Sequence, residues 1–285
     1  MSKIGFIGTG VMGSAMINNL IKNNYQVNVY NRTPEKAKAL TSIGAIFTST
    51  IEECVKDVDY IITIVGMPND VKEVYDEIFK YAKKGSIAVD MTTSSPSLAK
   101  EIFEKGKEKG IDVLDAPVSG GDIGAQKGTL SIMVGGEKEA FDKLVPIFKS
   151  MGTNINYMGK AGSGQHTKMA NQIAIAGTIA AVNESIKYAK EMGLDLNEVL
   201  NAIASGAAGS WQLSNNGPKI INQDNDPGFF IKHFIKDMKI ADEEALNNNL
   251  ELEILQKVLK QYELLEEKGY GDLGTQAIYK YFELK

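Results

Sequence analysis

Several short stretches of this sequence combine residue types that could do chemistry. Gly8-Thr9-Gly10-Val11-Met12-Gly13 spaces three glycines as G-x-G-x-x-G directly after the apolar run Ile4 to Ile7. In a strand–turn–helix context Gly8 allows the tight turn, Gly10 lets backbone approach a pyrophosphate, and Gly13 lets helix and strand pack closely. The helix that follows would face the phosphates with unpaired N–H groups and the positive end of its dipole. Asn31-Arg32-Thr33 closes the next candidate strand and carries no carboxylate to repel a 2′-phosphate. Arg32 is the sole arginine among 31 Lys and Arg residues, and a planar guanidinium can clamp a phosphate bidentately where Lys cannot. NADP is therefore the expected cofactor, with NAD as the alternative.

Three further stretches are candidates for a chemical site. Asp115-Ala116-Pro117-Val118-Ser119-Gly120-Gly121 ends a strand in a hydroxyl and two glycines, which reads either as a plain loop or as a concave site for a carboxylate. In Gly162-Ser163-Gly164-Gln165-His166-Thr167-Lys168-Met169-Ala170-Asn171-Gln172, Lys168 and Asn171 are three apart at the start of a long helical pattern and share a face. A lysine there works against the helix dipole. His166 lies two residues away, roughly opposite Lys168, and reads as structural. By pattern alone Lys236-Asp237 is an ordinary surface pair. Cys54, the one cysteine, excludes an intramolecular disulfide and reads as a small core residue. The two histidines show no zinc spacing, and no metal is expected.

These residues need a frame to hold them. With 285 residues, 43% hydrophobic and 24% charged, the chain has the composition of a globular protein with a full core, in one large domain or two. A net charge of −5 lacks the basic footprint of a nucleic-acid binder. The N-terminus shows no charged-then-apolar leader, and the strongest apolar run, Ile173 to Val182, falls far short of the roughly 20 residues of a membrane span. A cytoplasmic protein without membrane contact is expected.

Candidate strands at Lys3–Ile7, Gln26–Tyr30, Tyr60–Val65, Ser86–Asp90, Asp112–Asp115, Leu130–Val134 and Asn154–Tyr157 alternate with amphipathic segments. That alternation predicts an α/β fold with a doubly wound, Rossmann-type parallel sheet covered on both faces. After Gly164 the strand signals stop. Gln165–Met192, Asp195–Ser205, Trp211–Asn222, His233–Asn249, Leu252–Lys268 and a last stretch from Gly274 read as helices. The expected division is a dinucleotide-binding domain over 1–162 and an all-helical domain over 163–285, joined by the long helix. Its apolar run suggests oligomerisation, although an intramolecular core could absorb that surface.

Taken together, the four motifs and their order resemble the β-hydroxyacid dehydrogenase family, which includes 3-hydroxyisobutyrate dehydrogenase, tartronate semialdehyde reductase and the glyoxylate/succinic semialdehyde reductases. The resemblance covers essentially the whole chain. It implies a Rossmann domain followed by a helical one, an active site in the cleft between them, and a homodimer or homotetramer. It also implies NAD(P)-linked hydride transfer between a short 3-hydroxy acid and its semialdehyde. On the cofactor it places Gly8, Thr9, Gly10, Val11, Met12, Gly13, Asn31, Arg32 and Thr33. Val65 joins them, with Met67 and Pro68 on the adenine–ribose side and Thr93 and Lys236 at the nicotinamide. Ser119, Gly120 and Gly121 would grip the substrate carboxylate. Lys168 would be the catalytic acid and base, Asn171 would orient substrate, and Phe229 and Asp237 would close the cleft. The family often has a second Asn after the first, where this chain has Gln172. Ser210 and Trp211 are candidates for selectivity, Trp211 reading equally as a core or interface residue. Imine reductases share the architecture but lack a lysine at the position of Lys168. A dinucleotide-binding sensor without catalysis is the non-enzyme alternative.

Overall fold

The computed structural model describes residues 2–284. Its strands are β1 (Lys3–Ile7), β2 (Gln26–Tyr30), β3 (Ile46–Phe47), β4 (Tyr60–Thr63), β5 (Ile87–Asp90), β6 (Asp112–Asp115), β7 (Val118–Ser119), β8 (Leu130–Gly135) and β9 (Gly152–Gly159). Helices α1 (Val11–Lys22), α2 (Pro34–Lys38), α3 (Ile51–Val55), α4 (Pro68–Tyr81), α5 (Pro96–Lys109), α6 (Gly121–Lys127) and α7 (Lys138–Phe148) lie between them. There follow α8 (Ser163–Glu191), α9 (Leu196–Ala204), α10 (Gly217–Ile221), α11 (Ile231–Asn247) and α12 (Glu253–Glu267). The chain divides into two compact units, one up to Lys168 and one from Met169 on.

In the first unit the strands form one nine-stranded sheet in the order β3-β2-β1-β4-β5-β6-β8-β7, with β9 paired to β8. The run from β3 to β6 is parallel, in the doubly wound order of a dinucleotide-binding fold. Successive side chains leave a strand on opposite faces. Ile62 and Val89 accordingly join the core beneath α1 and α7, while their neighbours Ile61 and Ala88 join the core beneath α3, α4 and α5. The sheet is not parallel throughout, as the strand pattern had suggested. β8 runs antiparallel to β6 and β7, and parallel to β9. The two-residue strands β3 and β7 had no periodicity to announce them.

In the second unit the apolar stretch of α8 is largely absorbed within its own chain. Ala176 and Ile179 pack with α11 and α12, and Val182 and Ile186 with Leu200, Leu213 and Ile220. Two expected helices differ. The segment after Trp211 winds as a π-helix over Gln212–Asn216 before α10 begins, and the C-terminal stretch Thr275–Glu283 is 3-10 rather than α. Among the described residues no helix is long and apolar enough to cross a membrane.

Two buried carboxylates end neighbouring parallel strands, Asp90 on β5 and its register partner Asp115 on β6. Asp90 Oδ1 accepts the Thr63 hydroxyl at 2.8 Å and the Thr92 N–H at 3.1 Å. Burial nevertheless outweighs these bonds and lifts its pKa to about 6. A carboxyl raised in the folded state contributes most below its unfolded pKa, and that contribution is lost as pH rises through about 6. Asp90→Asn keeps an oxygen acceptor and cannot ionise. Its melting temperature relative to wild type should therefore rise between pH 5 and pH 8, by about 2–4 °C for each kcal/mol relieved. Thermal unfolding across that range checks this, and a pH-independent difference would contradict it.

Candidate active site

The Gly-rich turn is built from three glycines with different physical reasons. Gly8 sits at φ +104°, and a Cβ on it would collide with the Ile64 carbonyl. A Cβ on Gly13 would collide with the Gly8 carbonyl, so both are fixed by the close approach of β1, β4 and α1. Gly10 is extended at φ −72°, and a Cβ there would meet nothing within 4 Å. The fold itself makes no demand for glycine at that position. An approaching ligand would. The hydroxyl of the neighbouring Thr9 is buried and has no partner among the described residues, while Val11 and Met67 expose apolar side chains. Met12 is half-buried against the core. These features fit a dinucleotide lying over the turn.

Asn31 braces this turn rather than facing outward. Its Oδ1 accepts the Thr9 N–H and its Nδ2 donates to the Thr33 carbonyl, both at 3.0 Å. Thr33 leads into α2, with Pro34 at the first helical turn. Arg32 is exposed, and its guanidinium donates to Asp70 Oδ1 at 3.0 Å. Pro68 opens α4 after Met67, whose N–H donates to Asp70 Oδ2 at 2.9 Å. The half-buried Val65 donates its N–H to the Thr92 hydroxyl at 3.0 Å, tying the end of β4 to the loop after β5.

A second centre forms where α8 begins. Asp115 receives the N–H of Gly162 on Oδ1 and that of Gln165 on Oδ2, each at 2.8 Å. A carboxylate at a helix N-terminus satisfies donors that have no partner within the helix and sits at the favourable end of its dipole. Burial raises the Asp115 pKa, and these backbone bonds oppose the rise. Gly164 makes the approach feasible, because a Cβ there would collide with the Met133 carbonyl. The fully buried Gln165 then reaches the β5 loop, donating to the Thr92 carbonyl at 2.7 Å and accepting the Ser94 N–H at 3.0 Å. Its amide thus brackets Thr93. Lys168 follows on α8 and is buried, 7% exposed. His166, by contrast, is exposed, with Nε2 3.3 Å from Lys100 Nζ.

In the same unit Ser119 pairs with Ser131 across β7 and β8 and is half-buried. Gly120 and Gly121 follow at φ +126° and +63°, conformations that turn the chain sharply into α6.

The second unit gathers four of the expected residues. Asn171 Nδ2 donates to Gln172 Oε1 at 2.8 Å, and Gln172 Nε2 donates to Asp237 Oδ2 at 2.6 Å. Asp237 Oδ1 lies 3.1 Å from Lys236 Nζ, with both side chains largely buried. Lys236-Asp237 is therefore no surface pair. Phe229 stands apart from this chain of bonds, packing edge-on against Phe234. Ser210 accepts the Leu213 N–H at the start of the π-helical segment, and Trp211 is exposed there.

Sequence reasoning missed Asp70, and it gave no role to Asp90, Thr92, Asp115 or Gln165 beyond their places in longer motifs. A carboxylate ending an apolar strand, as in Ile87-Ala88-Val89-Asp90 and Val113-Leu114-Asp115, was the available signal. The partners of Asp70 and Gln165 lie too far along the chain to be read locally.

Both parts of the chain resemble known proteins. Residues 3–159 match the family model described as the NAD binding domain of 6-phosphogluconate dehydrogenase. Residues 162–282 match that described as NAD-binding of NADP-dependent 3-hydroxyisobutyrate dehydrogenase. The chain is 53% identical over 280 residues to the Bacillus subtilis (strain 168) protein named "Uncharacterized oxidoreductase YkwC", covering 97% of each. It is 36% identical over 285 residues to the 2-hydroxy-3-oxopropionate reductase of Escherichia coli (strain K12), covering 99% of this chain and 97% of that one. The solved structure of Mycobacterium tuberculosis 3-hydroxyisobutyrate dehydrogenase with L-serine superposes with a TM-score of 0.93 at 26% identity, over 100% of this chain and 99% of that one. The first unit thus carries an NAD(P)-binding site.

The three glycines should separate experimentally. Gly10→Ala should melt within about 2 °C of wild type yet bind NADPH and NADH at least tenfold more weakly, since the added methyl occupies ligand space. Gly8→Ala and Gly13→Ala should lose stability outright, because their new Cβ atoms meet backbone. Melting curves and fluorescence titration check both. Unchanged dinucleotide affinity in Gly10→Ala would contradict this account of the turn.

Proposed function

We propose that this chain, which belongs to the NAD(P)-dependent β-hydroxyacid dehydrogenase family, reduces the semialdehyde of a short 3-hydroxy acid and reoxidises the alcohol, with 3-hydroxyisobutyrate as its leading substrate and NADP as its preferred cofactor. The observation that carries this reading is the buried Lys168, set on a helix whose N-terminus is fixed by Asp115 and Gln165. When bound, the nicotinamide supplies or takes up the hydride, which the protein has no group to carry.

The protein's own part is alignment and proton management. Lys168 donates a proton to the carbonyl oxygen as it becomes an alkoxide, and accepts it back in the oxidative direction. Thr93, bracketed by the Gln165 amide, supports the nicotinamide end. The Ser119 hydroxyl and the amides of Gly120 and Gly121 hold the substrate carboxylate, where successive N–H groups form an anion-binding concavity. Asn171 orients the substrate. Gln172, Asp237 and Lys236 hold Asn171 in turn through their hydrogen bonds and ion pair. Arg32 receives the 2′-phosphate of NADP. A homodimer or homotetramer is part of the same proposal, supported by the exposed Tyr188, Met192 and Leu194 at and beyond the end of α8.

The test is a set of initial rates with NADPH and NADH against methylmalonate, tartronate and succinic semialdehydes and glyoxylate, with 3-hydroxyisobutyrate and serine in reverse. Methylmalonate semialdehyde with NADPH should be fastest. A faster rate with another aldehyde would move the substrate assignment within the family. Lys168→Met should lower kcat by about 10²–10⁴-fold, the usual range for a lost general acid. Its NADPH affinity should stay within about threefold of wild type, because the residue is given no role in dinucleotide binding. Undiminished turnover would overturn the role of Lys168.

A further inference from the structure

The end of β2 offers no carboxylate, but one arrives from another element. Asp70 lies in the first turn of α4, and both of its oxygens are engaged. Oδ2 takes the Met67 N–H at 2.9 Å, which fixes the carboxylate against its own helix start. Oδ1 takes the Arg32 guanidinium at 3.0 Å. The Arg32 side chain is 82% exposed while that of Asp70 is 24% exposed. Packing therefore does little to place Arg32, and its guanidinium meets a carboxylate that is itself anchored.

The geometry points to Asp70 as a cofactor-specificity residue that sets how strongly the site prefers a 2′-phosphate over a free 2′-hydroxyl. This rests on the reading of Arg32 as the 2′-phosphate ligand. A guanidinium has five N–H donors, so a bond to Asp70 does not exhaust it. The Asp70 charge nevertheless cancels that of Arg32 within hydrogen-bonding distance. A phosphate monoester near neutral pH carries up to two negative charges. Docked on Arg32, it would also stand close to the Asp70 carboxylate and be repelled by it. A ribose hydroxyl carries no charge and gains an acceptor instead. Asp70 thus narrows a preference that Arg32 alone would make steep.

At about 6 Å in a water-like dielectric, repulsion between one carboxylate and a doubly charged phosphate corresponds to roughly a tenfold change in affinity. Asp70→Asn is the informative variant, since its amide oxygen can still accept the Met67 N–H. Full-length wild type, Asp70→Asn and Arg32→Gln would be titrated with NADPH and with NADH by fluorescence at low and high salt. Asp70→Asn should bind NADPH about 3–10-fold more tightly and NADH no more tightly. The NADPH gain should shrink at high salt, as an exposed charge effect must. Arg32→Gln should loosen NADPH and spare NADH. Should Arg32→Gln loosen NADPH while Asp70→Asn leaves the ratio of the two affinities unchanged or lowers it, the role of Asp70 falls and that of Arg32 stands. An Arg32→Gln protein that keeps its NADPH affinity overturns both.

Discussion

The carboxylate of Asp115 is the contact that ties the end of β6 to the start of α8. A buried carboxylate is costly unless its lone pairs are met, and here two backbone N–H groups of a helix N-terminus meet them. The arrangement works in both directions. The helix end gains partners for donors it cannot satisfy internally, and the end of β6 gains a rigid continuation. Gly164 is required for it, since any side chain there would push the helix off the strand ends. Gln165, one residue on, extends the clasp to the loop after β5. Lys168 inherits its position from this junction.

The dinucleotide side of the same unit is organised by a different device. There the links are neutral amide struts and one exposed ion pair. Asn31 joins the Gly-rich turn to the loop after β2, and Val65 joins the end of β4 to Thr92. Because Thr92 also donates its N–H to Asp90 and accepts from Gln165 on its carbonyl, the two sides share a residue. The loop that carries Thr93 is thus held by Asp90 from below and by Gln165 from α8. A small displacement of either would move that loop.

Much of the frame could be read before the structure. Ile61-Ile62-Thr63 and Ile87-Ala88-Val89 have apolar character on both faces, which suits a covered parallel sheet, and packing requires glycine at positions 8 and 13. Other features lacked a local signature. β3 and β7 are two residues each, too short for any period. The π-helical stretch Gln212–Asn216 after Trp211 has no periodicity that separates it from an α-helix in the sequence. Lys236-Asp237 looked like a solvated pair because its partner, Gln172, lies far back in the chain on α8. Arg32 stands out in the sequence as the sole arginine, yet its bond to Asp70 joins two elements that only the fold brings together. Pairings of this kind are set by topology, and residue types alone do not encode them.

Whether Asp115 sets the position of Lys168 is measured by comparing Asp115→Asn with wild type for turnover and NADPH binding on the same preparations. An amide can accept one of the two N–H groups but opposes the other with its own N–H. Asp115→Asn should stay folded, with NADPH affinity within about threefold of wild type and kcat reduced by about a hundredfold or more, the scale of loss expected if Lys168 is the proton donor and is displaced. Wild-type kcat in that variant would show that the position of Lys168 does not depend on this carboxylate.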